Sequence, residues 1–222
     1  MVCTRSCTAA NFLNWNRHKR GIIGAHKGDK FDMRVIVEAE YFGAVKVVRP
    51  DAFEDHRGFF LEAYRQDEFA KVGLPTSFVQ VNHSGSVKNV VRGLHFQWEP
   101  PMGKFMRVIR GAAMIVAVDL RKGSPTLGRW ASVEASAENR LAMWAPASFA
   151  RGFAVRSDFA EIEYLCTGTY YGANESGVLW NDPDIGIDWG VAEPILSDRD
   201  TQAQTLKAWL ERPESDNFSY SP

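Results

Sequence analysis

From about Val35 onward the chain is a succession of short runs rich in β-branched and aromatic residues, each cut off by turn chemistry. The runs cover 45–48, 59–64, 77–81, 90–97, 105–109, 114–120, 130–134, 141–144, 152–155, 161–166 and 177–180. Between them stand Arg110-Gly111, Lys122-Gly123-Ser124-Pro125, Ala145-Pro146 and Asn181-Asp182-Pro183-Asp184. Gly and Pro at such points end pairing and reverse the chain. Many short strands without intervening long helices exclude βαβ units and require a sandwich or a barrel. The run 114–120, Met-Ile-Val-Ala-Val-Asp-Leu, is apolar on both strand faces, so it needs cover on both sides, as in a double-sheet jelly roll. Two short helices are predicted, over 67–72, stopped by Gly73, and over 202–210, stopped by Pro213. Beyond Pro213 the chain turns polar and reads as a loose tail.

Length and composition narrow the function. The 222 residues suit one large all-β domain, and 7 Trp with 14 Phe favour a barrel with a lined pocket. A net charge of −1 argues against a nucleic-acid or anionic-membrane binder. No apolar run approaches the ~20 residues of a membrane span. Cys3, Cys7 and Cys166 are an odd set without paired spacing, which fits a reducing compartment rather than a disulfide framework. Residues 1–32 carry Arg5, Arg17, Lys19, Arg20, Lys27 and Lys30 against Asp29 and Asp32, with no signal-peptide core. They read as a flexible extension or an organelle address, and Met33 as an alternative start. The expected organisation is an extension over 1–32, a barrel domain over 33–200 and a C-terminal helix and tail over 201–222, in a cytoplasmic protein.

Among the five histidines, His18 and His26 fall in the extension, His56 in a turn and His83 in the stretch Val81-Asn-His-Ser84. His95 is the one to follow. Alternation in its strand puts Leu94 and Phe96 on one face and Gly93, His95 and Gln97 on the other. An imidazole turned into a barrel can reach a ligand, while a satisfied core histidine is the competing reading. A metal-binding barrel would offer a second histidine close by; Leu94-His-Phe-Gln-Trp-Glu99 offers one imidazole and a distant carboxylate, so no metal is expected. Without a metal, proton transfer next to a carbonyl becomes the natural task. It needs a base, an acid on the opposite face and a cation or donor at the oxygen. The residue types are present; composition alone does not choose among them.

Several ordered segments resemble the dTDP-4-dehydrorhamnose 3,5-epimerase family, metal-free cupins acting on nucleotide sugars. They are Asp55-His-Arg-Gly-Phe-Phe-Leu-Glu62, Phe78-Val-Gln-Val-Asn-His-Ser84, Val91-Arg-Gly-Leu-His-Phe-Gln97 and Gly103-Lys104. Val116-Ala-Val-Asp-Leu-Arg-Lys-Gly-Ser-Pro-Thr126, Leu179-Trp-Asn-Asp-Pro-Asp-Ile-Gly-Ile-Asp-Trp189 and Leu196-Ser-Asp-Arg-Asp200 complete the set, over roughly residues 40 to 200. The resemblance implies an all-β fold, a double-stranded β-helix or jelly-roll barrel of the cupin type, and no cofactor. It implies His95 as the base, Asp200 as its carboxylate partner, Lys104 near the keto oxygen and Tyr164 as the acid opposite. Arg92 would meet the phosphates or sugar, and Arg57, Glu62, Gln80 and Asn82 the nucleotide diphosphate, with Tyr170 lining the pocket. Read on its own, Asp200 is an exposed acid that could cap the C-terminal helix. The resemblance further implies a homodimer with exchanged N-terminal strands.

One position departs from that pattern. Where the family usually reads Ala-His-Gly-Phe, this chain reads Ala150-Arg151-Gly152-Phe153. Arginine is longer, always charged and only a donor. It either clamps a different group of the substrate or swings away to a surface carboxylate. Two other classes compete with the epimerase: a non-catalytic sugar-nucleotide-binding cupin, and a metal-dependent oxygenase.

Overall fold

The computed structural model describes residues 33–221. Two antiparallel sheets carry the fold. The first runs in the order β1 (Val35–Tyr41), β2 (Val45–Pro50), β10 (Ala142–Ala145), β7 (Lys104–Arg110), β12 (Phe159–Cys166) and β5 (Gln80–Val87). The second runs β13 (Glu175–Gly177), β6 (Val91–Gln97), β11 (Phe149–Val155), β8 (Ala112–Asp119) and β9 (Trp130–Ser136). A separate hairpin joins β3 (Ala52–Asp55) to β4 (Gly58–Leu61). This is the jelly-roll barrel that the strand pattern and the cupin resemblance imply.

The two-sided apolar strand explains how the layers stack. Met114, Val116 and Val118 of β8 pack outward with Leu94, Phe96, Trp209 and Phe218. Ala113, Ile115 and Ala117 point inward, into the core shared with Val45, Met106, Phe149 and Ile162. Each large side chain so buried contributes about 1.5–3 kcal/mol. A third cluster sits under α1 (Gln66–Lys71), where Phe69 packs on Phe105 beside Leu74 and Trp144.

The outer face of the second sheet is closed by the end of the chain. α2 (Asp198–Thr201) is followed by α3 (Leu206–Glu211), begun by Thr205, whose hydroxyl accepts from the Ala208 N–H. A 3₁₀ turn over Pro213–Phe218 then brings Phe218 against Phe96 and Trp209, with ring centroids at 5.7 and 5.9 Å. The polar composition after Pro213 thus misled the reading of a loose tail. Ser215 and Phe218 are buried, and the Ser215 hydroxyl donates to the Arg212 carbonyl at 2.7 Å.

Other departures have similar causes. β1 and β3 were not among the predicted runs, because Glu38, Glu40 and Glu54 break their apolar pattern from exposed positions. β5 starts later and runs longer than the expected 77–81. Its inward side chains, Gln80, Asn82, Ser84 and Ser86, are polar, while Val81 and Val87 are exposed. The run 177–180 shrinks to the end of β13, with one isolated bridge from Val178 to Gln204. The extension over 1–32, with Cys3, Cys7, His18 and His26, lies outside the described residues.

Candidate active site

The site begins with an irregularity in β6. Its pairing with β11 sets Arg151 opposite His95 but Phe153 opposite Arg92, so β6 carries one extra residue between them. Such a bulge re-aims the side chain beside it. Glycine makes it possible: Gly93 has φ +121°, and a Cβ there would lie 2.7 Å from the Arg151 carbonyl oxygen. Gly152 faces it, and a Cβ on that residue would stand 2.7 Å from the Arg92 oxygen.

His95 is thereby presented between two spaces. Inside the barrel is a cavity of about 240 Å³ bordered by Asn82, Ser84, Arg92, Lys104, Arg151 and Tyr164 as well as His95. Outside lies a cleft of about 640 Å³ bordered by His95, Tyr170, Glu175, Arg199 and Gln204. His95 Nε2 meets Asp200 Oδ1 at 2.6 Å. Asp200 is held by Ser197, which caps α2 by accepting from the Asp200 N–H and donates its hydroxyl to Asp200 Oδ2 at 2.7 Å. Burial raises the Asp200 carboxyl, but the hydrogen bonds with His95 and Ser197, the charge of His95 and the Gly93 N–H outweigh it. The net result is a lowered pKa and a carboxylate kept charged. Asp200 is therefore not the cap of the C-terminal helix; Ser197 and Thr205 fill the two capping positions.

The opposite wall belongs to the first sheet. Tyr164 stands on β12, paired with Asn82 on β5 and Met106 on β7. Ser84 Oγ lies 2.8 Å from its hydroxyl. Burial pushes the phenol up to about 12, against the lowering influence of that hydrogen bond. Lys104 Nζ is 6.0 Å from the Tyr164 ring centroid. Burial, then the charge of Arg151, lowers the Lys104 ammonium to about 8. The imidazole and the phenol thus come from different sheets and face one space, the arrangement that two-sided proton transfer needs.

The remaining expected site residues divide. Arg92 reaches the cavity and donates from Nε to Ser86 Oγ at 3.0 Å. Asn82 borders the cavity and accepts from Gln80 Nε2 at 2.8 Å, while Gln80 Oε1 accepts from the Tyr170 N–H. Tyr170 itself borders the outer cleft. Arg57 and Glu62 do not border either space. Arg57 is exposed at the tip of the β3–β4 hairpin and bonds Asp55, and Glu62 pairs with Arg65 at 2.8 Å. Arg151 does not swing to a surface carboxylate. It is 3% exposed, and its Nη1 donates to the Pro146 carbonyl at 2.8 Å.

Sequence reasoning missed Ser84, Ser197, Glu175 and Arg199. Ser197-x-x-Asp200 was a readable capping pattern. The Arg199–Glu175 pair, at 2.9 Å, joins a helix to a strand distant in sequence and left no local signal. Among the described residues no three His, Cys, Asp or Glu side chains gather as a metal-holding group. No helix among them is long and apolar enough to cross a membrane.

A cupin barrel that sets a carboxylate-held imidazole on one wall and a buried phenol on the other brings together the kinds of group that proton-transfer enzymes use. Comparison with known proteins gives the family. The model of the family described as dTDP-4-dehydrorhamnose 3,5-epimerase matches residues 41–208, and the chain belongs to this family of epimerases. A dTDP-4-dehydrorhamnose 3,5-epimerase of Neisseria gonorrhoeae is 46% identical over 77% of this chain, and the match spans 53% of that protein's own length. Among solved structures, dTDP-6-deoxy-D-glucose-3,5-epimerase of Legionella pneumophila, in complex with dTDP-4-keto-L-rhamnose, superposes with a TM-score of 0.78. It is 37% identical, with 86% of this chain and all of that one covered. The 3'-monoepimerase ChmJ of Streptomyces bikiniensis, in complex with dTDP-quinovose, gives 0.71 at 38% identity, over 75% of this chain and 85% of that one.

Proposed function

We propose that the chain epimerises C3 and C5 of a dTDP-linked 4-keto-6-deoxyhexose, converting dTDP-4-dehydro-6-deoxyglucose to dTDP-4-dehydrorhamnose. The observation that carries this is the His95–Asp200 pair facing Tyr164 across one cavity. His95 takes the proton on the carbon next to the ketone, and that C–H electron pair becomes the enolate, with negative charge on the ketone oxygen. Lys104 stabilises the oxygen, and the charged Asp200 stabilises the imidazolium. Tyr164 then gives a proton to the same carbon from the other face, so the configuration inverts. The imidazolium and the phenolate return to their starting states by exchange with solvent. No cofactor enters the scheme, since the substrate's own ketone acidifies both carbons.

The sugar occupies the inner cavity with Asn82 and Arg92 at its edge, and the nucleotide diphosphate lies along the outer cleft near Arg199 and Tyr170, whose N–H donates to Gln80. Arg57 and Glu62 serve a neighbouring protomer's site in a homodimer. β5 supports this assembly: it is an edge strand whose outward Val81 and Val87 and adjoining Val79 are 61%, 52% and 57% exposed. The hairpin adds Phe59 and Phe60, 63% and 65% exposed. The protein works in the cytoplasm.

A second reading is epimerisation at C3 alone, because the 3'-monoepimerase is as similar in sequence as the Legionella pneumophila 3,5-epimerase. NMR of dTDP-4-keto-6-deoxyglucose in D₂O, with a 4-keto reductase as trap, separates them. Deuterium at C3 and C5 with recovery of the L-sugar supports the first reading. Deuterium at C3 alone supports the second. No exchange at either carbon, with this or other nucleotide-linked 4-keto sugars, leaves a sugar-nucleotide-binding cupin.

A further inference from the structure

Arg151 is more deeply buried than any other cationic side chain at the site, and its donors are mostly unanswered. Its Nη1 bonds the Pro146 carbonyl, but Nε and Nη2 meet no acceptor among the described residues. It is the cross-strand partner of His95, so both side chains leave the paired strands on the same face. Both border the inner cavity, with Lys104 close enough to feel the guanidinium charge.

We infer that Arg151 is a second cationic donor to the ketone oxygen, sharing with Lys104 the negative charge that enolisation places there. The inference rests on the epimerase reading proposed above. Nε and Nη2 lie on one edge of the guanidinium and form a fork suited to an anionic oxygen. A buried donor left unsatisfied is costly, and two neighbouring buried cations repel, so the site favours an added negative charge within reach of both. A sugar hydroxyl would accept one hydrogen bond and leave that repulsion in place. The enolate oxygen accepts and neutralises together, and it does so fully only as the C–H bond breaks. The nearby carboxylates are already engaged, Asp200 with His95 and Glu175 with Arg199. Burial lowers the guanidinium only to about 10, so it stays charged at neutral pH.

The test compares wild type with Arg151→Met on dTDP-4-keto-6-deoxyglucose in D₂O, reading kcat and KM for deuterium incorporation by NMR. The expected result is a loss of roughly 10²–10³-fold in kcat with KM little changed. In Arg151→Ala, added methylguanidinium restores part of the rate, and it leaves wild type unchanged. Should Arg151→Met fail to fold by circular dichroism, Arg151→Lys is read instead. That variant keeps the charge but not the fork, and at least a tenfold loss in kcat is expected. Wild-type kcat in the folded variant, or a loss confined to KM, overturns the inference. Absence of exchange by wild type across nucleotide-linked 4-keto sugars overturns the epimerase reading, and this inference falls with it.

Discussion

The His95 ring and the Asp200 carboxylate meet at 2.6 Å although 105 positions separate them in the chain. One sits on a strand of the second sheet, the other in a short helix capped by Ser197. The carboxylate fixes which ring nitrogen carries the proton and, in the proposed reaction, answers the charge that the ring gains.

Asp200→Asn keeps the shape of the helix and removes that charge. Turnover falls about 10²–10⁴-fold with little change in KM, and Ser197→Ala has a smaller effect of the same kind. Steady-state kinetics on the dTDP-4-keto sugar checks both. Retention of full kcat by Asp200→Asn removes the pair from the mechanism.

Tyr164→Phe separates the two halves of the reaction. Proton removal by His95 persists, so deuterium still enters at the carbons next to the ketone, while recovery of the inverted sugar is lost. Ser84→Ala removes the 2.8 Å contact to the same hydroxyl and costs about 1 kcal/mol, or roughly fivefold in kcat. Full inversion by Tyr164→Phe would mean that another group returns the proton.

In the proposed reaction Lys104 links catalysis to stability. Burial lowers its pKa to about 8 in the folded protein, whereas the unfolded chain keeps its proton up to the usual lysine range. Between these values the unfolded state binds more protons, so this group's contribution makes stability rise as pH climbs from about 8 towards 10. Lys104→Met removes the penalty of burying the charge. Its Tm at pH 7 exceeds that of wild type, by the equivalent of about 1–3 kcal/mol, and the rise above pH 8 flattens. Its kcat falls roughly 10²–10³-fold. Thermal melts across pH 6–10 read the first effect.

Trp209 has no exposed surface and packs against Phe96, Trp98 and Phe218, behind the strand that carries His95. Trp209→Ala destabilises by about 3–5 kcal/mol, a fall in Tm of more than about 6 °C. A melt within 2 °C of wild type would show that the C-terminal segment does not support the barrel.

Val81→Asp tests the assembly. The charge lies on the exposed face of an edge strand, so the folded protomer tolerates it while a second copy does not. Sedimentation is expected to show a dimer for wild type and a monomer for the variant, and a monomeric wild type refutes the homodimer.

Much of this molecule could be read from its text. The β8 run, apolar on both faces, announced a covered layer, and alternation in β6 turned His95 towards the barrel interior. What resisted reading has physical causes. β5 reverses the usual rule, turning polar residues inward to the cavity and valines outward, so hydrophobic patterning underrated it. Residues 213–218 have a polar composition, yet Phe218 and Ser215 anchor them. The gathering of Asn82, Arg92, Lys104 and Arg151 around His95 depends on sheet topology, which no local window contains. Only the resemblance to a family had brought these residues together beforehand.

The position of Asp200, after the last strand and just ahead of the segment that backs β6, has a consequence for synthesis. A chain emerging from the ribosome presents His95, Lys104 and Tyr164 before the carboxylate that orients the imidazole has been made. The cavity wall that carries Lys104 and Tyr164 is thus made before the group that holds the imidazole, and the His95–Asp200 pair is set only once residue 200 has joined the chain.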